Sequence, residues 1–164
     1  MALKLKKEDK KNYVKIKLLS SQDFYIARFR RQWNLLQCCF VERNYTRNAL
    51  IIHIHGGGFV AMSSSSHENY LRKWCNKLEV PVISIDYGLA PENPYPKALD
   101  DVWQAYNWIL DNAADEFQID LNNIILIGDS AGGNLAMSLV YLLIMHNKKL
   151  PNALFLAYPG KLYI

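Results

Sequence analysis

The sequence is poor in cysteine, and the positions of its cysteines exclude two kinds of structural site. Three occur in 164 residues: Cys38 and Cys39 are adjacent, and Cys75 lies far from both. Neighbouring cysteines rarely pair with each other, and neither a C-x-x-C pair nor a Cys/His ligand spacing is present. We therefore predict no disulfide framework and no metal site, and the few cysteines favour a reducing, cytoplasmic location.

A long apolar run is also missing. The longest one, residues 135–145, contains Ser138 and is shorter than the roughly 18–20 residues that cross a bilayer. The charged start of the chain is not followed by an apolar stretch with a small-residue cleavage site, so no secretory signal peptide is predicted. Both absences favour a soluble protein.

The excess of positive charge is concentrated at one end of the chain. The net charge is +4, and much of the surplus lies in the opening MALKLKKEDKKNYVKIK. We predict a basic, solvated N-terminal tail over residues 1–47, within which YVKIKLL alternates as an edge strand does and residues 22–42 are weakly helical. An arm that binds nucleic acid or an anionic membrane is the less favoured alternative, and no nucleic-acid partner is predicted.

Beyond this tail, apolar strands alternate with helical stretches. A capping box of Ser65 and Glu68 predicts the start of one helix, Pro96 the start of a second, and a third follows Ser130. The alternation predicts an α/β domain over residues 48–164, with a mostly parallel sheet covered by helices on both faces. The predicted buried strands are NALIIHIH, PVISIDY, NIILIG and ALFLAY.

The stretch IGDSAGGN places Gly128, Ser130 and Gly132 in a G-x-S-x-G spacing. With an apolar strand directly before it and a small-residue helix directly after it, such a serine lies on a tight, strained turn with its oxygen exposed. Side chains at the two glycines would collide across the turn, and glycine reaches the required dihedral angles most easily. We predict Ser130 as a catalytic nucleophile; an incidental serine in a glycine-rich turn is the structural alternative.

A second glycine stretch, His55-Gly56-Gly57-Gly58, ends a predicted strand. Acyl transfer needs N–H donors for the developing oxyanion, and a glycine loop lets bare backbone approach the substrate carbonyl. The N–H groups of Gly57 and Gly58, with that of Ala131, are predicted to form this oxyanion hole. A phosphate-binding loop is disfavoured because neither G-x-G-x-x-G nor G-K-[ST] is present, whereas a plain tight turn stays open as an alternative.

Three blocks of the sequence together resemble the hormone-sensitive-lipase family of α/β-hydrolase esterases, also called the GDXG lipolytic family. They are IIHIHGGGFVAMSSSSH, SIDYGLAPENPYPKALDD and IGDSAGGNLA, in the family's order. The resemblance implies a serine carboxylesterase or lipase with Ser130 as its nucleophile. It places the oxyanion donors and the residues that support their loop at the positions already singled out: Gly57, Gly58, Ala131, His55 and Gly56.

The resemblance also implies an acyl-ester or acylglycerol substrate and no cofactor. The family carries a substrate-covering cap at the place of residues 22–42, so we expect a cap segment within residues 1–47. Ten tyrosines and four tryptophans allow peripheral contact with a lipid surface, although their helical spacings favour core packing. Gly88 stands where the family often has arginine, a difference that the sequence does not explain.

The sequence does not complete a catalytic triad. On this fold the acid and the base follow the nucleophile, yet residues 131–164 contain neither Asp nor Glu and one histidine, His146. The predicted helix separates His146 from Ser130 by about 24 Å. We therefore predict half an active site that is inactive alone, with ALFLAY as an exposed apolar edge strand. A non-catalytic small-molecule binder, as in the gibberellin receptors of plants that resemble the same family, or a fragment without function are the alternatives.

Other ionisable residues near the motifs are predicted to be structural. His53 is expected in the core and His67 at a helix start in solvent, while Asp129 is expected to form structural hydrogen bonds. The Asp100-Asp101 pair is expected on a solvated helix end.

Overall fold

The computed structural model of the chain describes residues 2–6, 13–20, 49–117 and 119–160. The weak helix and the cap segment predicted within residues 22–42 lie outside this part. The described elements, in chain order, are β1 (Ala2–Lys6), β2 (Tyr13–Leu19), β3 (Leu50–Ile54), α1 (Glu68–Leu78), β4 (Val82–Asp86), α2 (Lys97–Phe117), β5 (Ile124–Asp129), α3 (Ala131–Met145) and β6 (Ala153–Ala157).

The six strands form one sheet in the order β1-β2-β4-β3-β5-β6. Strands β4, β3, β5 and β6 are parallel to one another, whereas β1 pairs with β2, and β2 with β4, in antiparallel fashion. The predicted mostly parallel α/β sheet is confirmed. Strands β3, β4 and β5 are mostly apolar and buried because helices cover both faces of the sheet there.

The two N-terminal strands correct the prediction of a solvated tail. Strand β2 is not an edge strand, since it lies between β1 and β4. The alternation in YVKIKLL puts Val14, Ile16 and Leu18 into the main core, with Ile16 opposite Ile85 of β4. The lysines that alternate with these apolar residues therefore lie on the polar face of a half-buried strand. The sheet thus extends into residues 1–47.

Each face of the sheet has its own core. Alternate residues of β3 point to opposite faces: Ile52 and Ile54 belong to a large cluster with the buried residues of α2 and α3, and Ile51 to a smaller one with Leu71 and Cys75 of α1. Helices thus cover both faces, as predicted. No helix within the described ranges has the length and the apolarity of a membrane span.

The start of α1 differs from the predicted capping box. His67 is the N-cap residue and makes no side-chain capping bond. The Glu68 carboxylate instead pairs with Lys17 of β2 and with Arg72 one turn along the helix. A long-range ion pair therefore takes the carboxylate that a capping box would use locally.

Asp101 corrects a second prediction, because it is 2% exposed rather than solvated. Its carboxylate accepts a hydrogen bond from the Gly88 N–H at 2.9 Å and pairs with Lys97. A β-carbon at Gly88 would lie 3.2 Å from that carboxylate and 3.0 Å from Asn93. The absence of a side chain at Gly88 thus leaves room for a buried carboxylate beside the strand end.

Strand β6 forms the other edge of the sheet and exposes apolar side chains. Phe155 is 57% exposed, and Leu154 is also exposed. Among the described strands only β5 pairs with β6. The predicted exposed apolar edge is confirmed.

Candidate active site

The two glycine motifs meet at the carboxyl ends of two central strands of the sheet. Strands β3 and β5 are parallel neighbours, and Ile54 at the end of β3 lies opposite Gly128 of β5. The next residues along each strand therefore leave the sheet side by side. The chain from His55 to Gly58, here called the glycine loop, starts beside the turn that carries Ser130.

Ser130 lies on a strained turn between β5 and α3, with φ 49° and ψ −117°. A non-glycine residue rarely adopts a positive φ, and such residues are found at functional sites where the surroundings hold them in place. Here the Ser130 N–H donates to the Ala157 carbonyl at 2.9 Å, and its carbonyl accepts from Asn134 at 3.1 Å and from Gly160 at 3.3 Å. The predicted strained turn is confirmed.

The glycines that flank Ser130 are needed for space. A β-carbon at Gly128 would lie 2.5 Å from the Gly132 carbonyl oxygen, and one at Gly132 would lie 2.1 Å from the Ile54 carbonyl oxygen. The prediction that side chains at these two positions would collide with nearby backbone is therefore confirmed. The expectation that they also supply special dihedral angles is wrong, because the positive φ belongs to Ser130 itself.

In the glycine loop, by contrast, two of the glycines themselves have positive φ. Gly57 has φ 114° and Gly58 φ 63°, and the Gly57 carbonyl accepts from the N–H groups of Val60 and Ala61. These dihedral angles turn the chain tightly in a way that L side chains rarely adopt. The loop consequently presents bare backbone at Gly57 and Gly58.

The His55 side chain supports this loop through a hydrogen bond to its backbone. Its Nδ1 lies 2.7 Å from the Gly56 carbonyl oxygen, so Nδ1 carries the proton and donates. The imidazole stacks on Tyr87 with ring centroids 4.2 Å apart, and the Tyr87 hydroxyl donates to the His55 carbonyl at 2.8 Å. Burial lowers the pKa of His55, which favours the neutral ring, and a neutral ring protonated at Nδ1 makes this hydrogen bond.

Asp129 joins the glycine loop to the serine turn. Its Oδ1 accepts a hydrogen bond from the Gly56 N–H at 3.1 Å, and its Oδ2 lies 3.1 Å from His67 Nε2. His53 Nε2 is 3.7 Å from Oδ1. Burial by itself would raise the pKa of Asp129, but the hydrogen bonds and charges of the two imidazoles outweigh it and hold that pKa below its ordinary value.

Of the two histidines beside Asp129, His53 was predicted to be buried and His67 to be solvated. His53 is buried, as expected: its Nδ1 lies 2.8 Å from Ser84 Oγ and its Nε2 3.1 Å from the Tyr70 hydroxyl, and burial lowers its pKa. His67 does open α1, but the expectation that it is solvated is wrong, since its side chain is only 11% exposed. The structural hydrogen bonds expected of Asp129 are present.

The chain has four histidines, and the hydrogen bonds of three of them, His53, His55 and His67, go to groups other than Ser130. His146 caps the far end of α3 and lies against Trp103. Within the described ranges, the His, Cys, Asp and Glu side chains form no cluster able to hold a metal ion.

Sequence reasoning missed the roles of Tyr87 and His67. Both lie within the blocks that resemble the lipase family, but nothing in their local pattern indicates a partner. The available signal for His67 was indirect: three of the chain's four histidines fall between residues 53 and 67, around one glycine loop.

A family model described as alpha/beta hydrolase fold matches residues 51–163. Among curated proteins, the hormone-sensitive lipase of Mus musculus is 46% identical over 111 residues, which is 68% of this chain and 14% of that protein. The esterase LipI of Mycobacterium tuberculosis is 39% identical over 87 residues, or 53% of this chain and 27% of that one. The chain thus spans a small part of these relatives.

Solved structures share the fold. The esterase of Pyrobaculum calidifontis superposes with a TM-score of 0.75 at 26% identity, over 97% of this chain and 45% of that one. A structure described as a bacterial heroin esterase reaches a TM-score of 0.78 at 24% identity, over 98% of this chain and 44% of that one.

Proposed function

The chain belongs to the α/β-hydrolase fold family, and we propose that it carries the nucleophile and the oxyanion hole of a carboxylic-ester hydrolase of the hormone-sensitive-lipase type. One observation carries the proposal. Ser130 has a positive φ and lies at the start of α3, beside the glycine loop. The Asp129 carboxylate accepts a hydrogen bond from Gly56 of that loop and another from His67.

In the proposed reaction, Ser130 Oγ attacks the carbonyl carbon of an ester. The new C–O bond gives a tetrahedral oxyanion, which expels the alcohol and leaves an acyl-serine; water then releases the acid. The strained turn supports this role because a serine on such a turn typically has its oxygen exposed. The first N–H groups of α3 lack helical partners and point towards the developing charge.

The N–H groups of Gly57, Gly58 and Ala131 are the proposed oxyanion donors. Each such donor is typically worth about 3–4 kcal/mol in the transition state. Support comes from the conformation of the loop: with positive φ at two successive glycines, no side chain shields the backbone there. His55 and Gly56, through the hydrogen bond between them, are proposed to support this loop.

The proton of the Ser130 hydroxyl needs an acceptor that this chain does not supply. Each of the four histidines is engaged elsewhere or lies at the far end of α3. We therefore propose that the acid and base of the triad are not among these 164 residues, and that the chain alone has residual reactivity only. Loss of the base lowers turnover by about 10⁴-fold or more in serine hydrolases.

The proposed substrate is an acyl ester, such as an acylglycerol. The relatives are named lipases and esterases, which supports the class. Phe59, Val60 and Met62, directly after the glycine loop, are exposed apolar residues and offer a surface for an acyl chain. Contact with a lipid surface through the same residues remains a prediction.

Slow covalent labelling by a fluorophosphonate tests the proposal. The oxyanion hole should make Ser130 react faster than Ser63, Ser65 and Ser66 of the neighbouring loop, because residual acceleration of about 10³-fold survives loss of the base. Mass spectrometry of the labelled chain identifies the serine, and Ser130→Ala is the control.

Two outcomes would contradict the proposal. If Ser130 labels no faster than the loop serines, the site is not an acyl-transfer site, and a non-catalytic binder of the same fold becomes the better reading. If the chain turns over p-nitrophenyl butyrate rapidly and Ser130→Ala abolishes this, a base is present and the incomplete-site proposal is wrong.

A further inference from the structure

His67 is mostly buried, contacts the carboxylate next to the nucleophile, and has no role in the function proposed so far. We infer that His67 is a positioning residue: through Asp129 it holds the glycine loop against the serine turn. This inference rests on the proposed function, since it assigns His67 to the support of the same oxyanion hole.

The contact chain is short and uses both oxygens of one carboxylate. His67 Nε2 lies 3.1 Å from Asp129 Oδ2, and the Gly56 N–H donates to Oδ1 at 3.1 Å. Gly56 directly precedes Gly57. Hydrogen bonds to an ionised carboxylate are stronger than neutral ones, so the orientation of this carboxylate fixes where the loop begins.

The protonation of the ring fits a donor role. His67 Nδ1 is buried and has no hydrogen-bond partner among the described residues, whereas Nε2 faces the carboxylate. A proton on Nε2 satisfies the carboxylate, and it leaves at Nδ1 an acceptor rather than an unpaired N–H. His67 therefore donates to Asp129.

His67 is itself held in place from two sides. On the helix, Glu68 pairs with Lys17 of β2, whose Nζ also contacts Ser65 Oγ at 2.9 Å, and this ties the start of α1 to the sheet. In the other direction, the ring meets Tyr70 edge to face, with centroids 5.5 Å apart. A residue anchored in this way can orient a carboxylate.

His53 does not duplicate the role of His67. It lies farther from Asp129, at 3.7 Å, and its two ring nitrogens already have partners in Ser84 and Tyr70. Loss of the His67 imidazole should leave Oδ2 without a close donor among the described side chains, and the carboxylate free to rotate away from Gly56.

Three variants of the full chain test this inference: His67→Ala removes the donor, His67→Gln keeps an N–H near the position of Nε2, and His146→Ala removes a histidine at the far end of α3. The first readout is the amide proton shift of Gly56 in a ¹H–¹⁵N spectrum, which reports its bond to the carboxylate. The second is the rate of fluorophosphonate labelling at Ser130.

We expect His67→Ala to move the Gly56 amide resonance upfield and to slow labelling about 10-fold, less than the 10²–10³-fold of a deleted oxyanion donor. His67→Gln should restore most of both, and His146→Ala should change neither. If His67→Ala leaves the Gly56 resonance where it is, or if His67→Gln behaves like the alanine variant while still folded, His67 does not position the loop.

The NMR readout separates this inference from the proposed function. Should Ser130 of the unaltered chain fail to label, the proposed function fails, yet the Gly56 resonance of the variants still decides whether His67 holds the loop. Should His67→Ala not fold, the comparison of His67→Gln with the unaltered chain decides it: the inference requires a retained Gly56 shift.

Discussion

The serine turn and the glycine loop both depend on glycine, but for different physical reasons. At the serine turn, Gly128 and Gly132 have ordinary dihedral angles and leave room for backbone that passes close by, while Ser130 carries the positive φ. In the glycine loop, Gly57 and Gly58 themselves carry the positive φ. A motif rich in glycine therefore does not say which physical demand each glycine meets.

The two turns place backbone strain on different residues. In the serine turn the unfavourable conformation lies on Ser130, the proposed nucleophile, and the glycines serve close packing. The glycine loop avoids strain, because glycine adopts positive φ readily. Four experiments, three with substitutions and one with pH, test this difference between the two turns.

Gly132→Ala should be the most damaging change in either turn. Its β-carbon would lie 2.1 Å from a backbone carbonyl oxygen of β3, which cannot move without breaking the sheet. We expect the free energy of unfolding to fall by about 3 kcal/mol or more, the upper end for overpacking. Urea unfolding measures this. Gly160→Ala, where nothing lies within 4 Å, should change it by less than about 0.5 kcal/mol; equal effects would refute the spatial role of Gly132.

Gly57→Ala and Gly58→Ala should separate space from conformation within one loop. At Gly57 a β-carbon would meet the Ala61 carbonyl oxygen at 2.1 Å as well as a φ of 114°, whereas at Gly58 the nearest atom is 3.9 Å away and only the φ of 63° opposes it. We expect Gly58→Ala to lower stability by about 1–2 kcal/mol and Gly57→Ala by clearly more. Thermal unfolding compares the pair, and the reverse order would contradict this assignment.

Ser130→Gly should be more stable than Ser130→Ala. Alanine keeps the positive φ of a side-chain residue, whereas glycine relieves it, and the gain should be about 1–2 kcal/mol. No capping hydrogen bond is lost in either variant, since the Ser130 side chain makes none. Chemical denaturation of both variants measures the difference. Equal stabilities would mean that the serine turn is not strained.

The two turns should also respond to acid in different pH windows. Burial lowers the pKa of His55 beneath the glycine loop from its ordinary 6.5, and that of His53 in the same way, so the unfolded chain binds more protons below this pH. Stability should therefore fall as the pH drops below about 6.5, by up to about 1.4 kcal/mol per pH unit for each histidine. Asp129, whose pKa is held below 3.8, should add its own loss only below about pH 4.

Urea unfolding from pH 8 to pH 5 measures the histidine window. His55→Asn keeps a donor for the Gly56 carbonyl and should reduce the slope, whereas Tyr95→Phe, at a side chain that is 86% exposed, should preserve it. A stability that stays constant from pH 8 to pH 5 would show that the histidines are not buried neutral.

Much of the fold could be predicted from local pattern. The four apolar strands from residue 48 onward, the sharp turn at Ser130 and the exposed edge at ALFLAY each follow from contiguous residues, because strand burial and turn geometry are local demands. The N-terminal strands were harder, since lysines that alternate with apolar residues suit a solvated tail as well as a strand that has found a neighbour.

The parts of the site that sequence did not predict are long-range contacts. His67 and Asp129 are 62 positions apart, Asp101 and Gly88 are 13 apart, and Lys17 reaches Glu68 across 51. Asp129 was expected to form structural hydrogen bonds, but its partners were not predicted, and the other polar side chains were assigned from local context to solvent or to a helix cap. Burial of a charged group depends on a partner that only the folded sheet brings near.

The backbone of Ser130 is hydrogen-bonded to the edge strand β6 and to the residue that follows it closely, Gly160. Its N–H bonds to Ala157 at the end of β6, and its carbonyl accepts from Gly160 just beyond. Edge strands fray more readily than central ones, so each opening of β6 also breaks the backbone hydrogen bonds that hold Ser130. A strand added along the outer side of β6 would suppress that fraying, and would thereby stabilise the turn of the proposed nucleophile without contacting it.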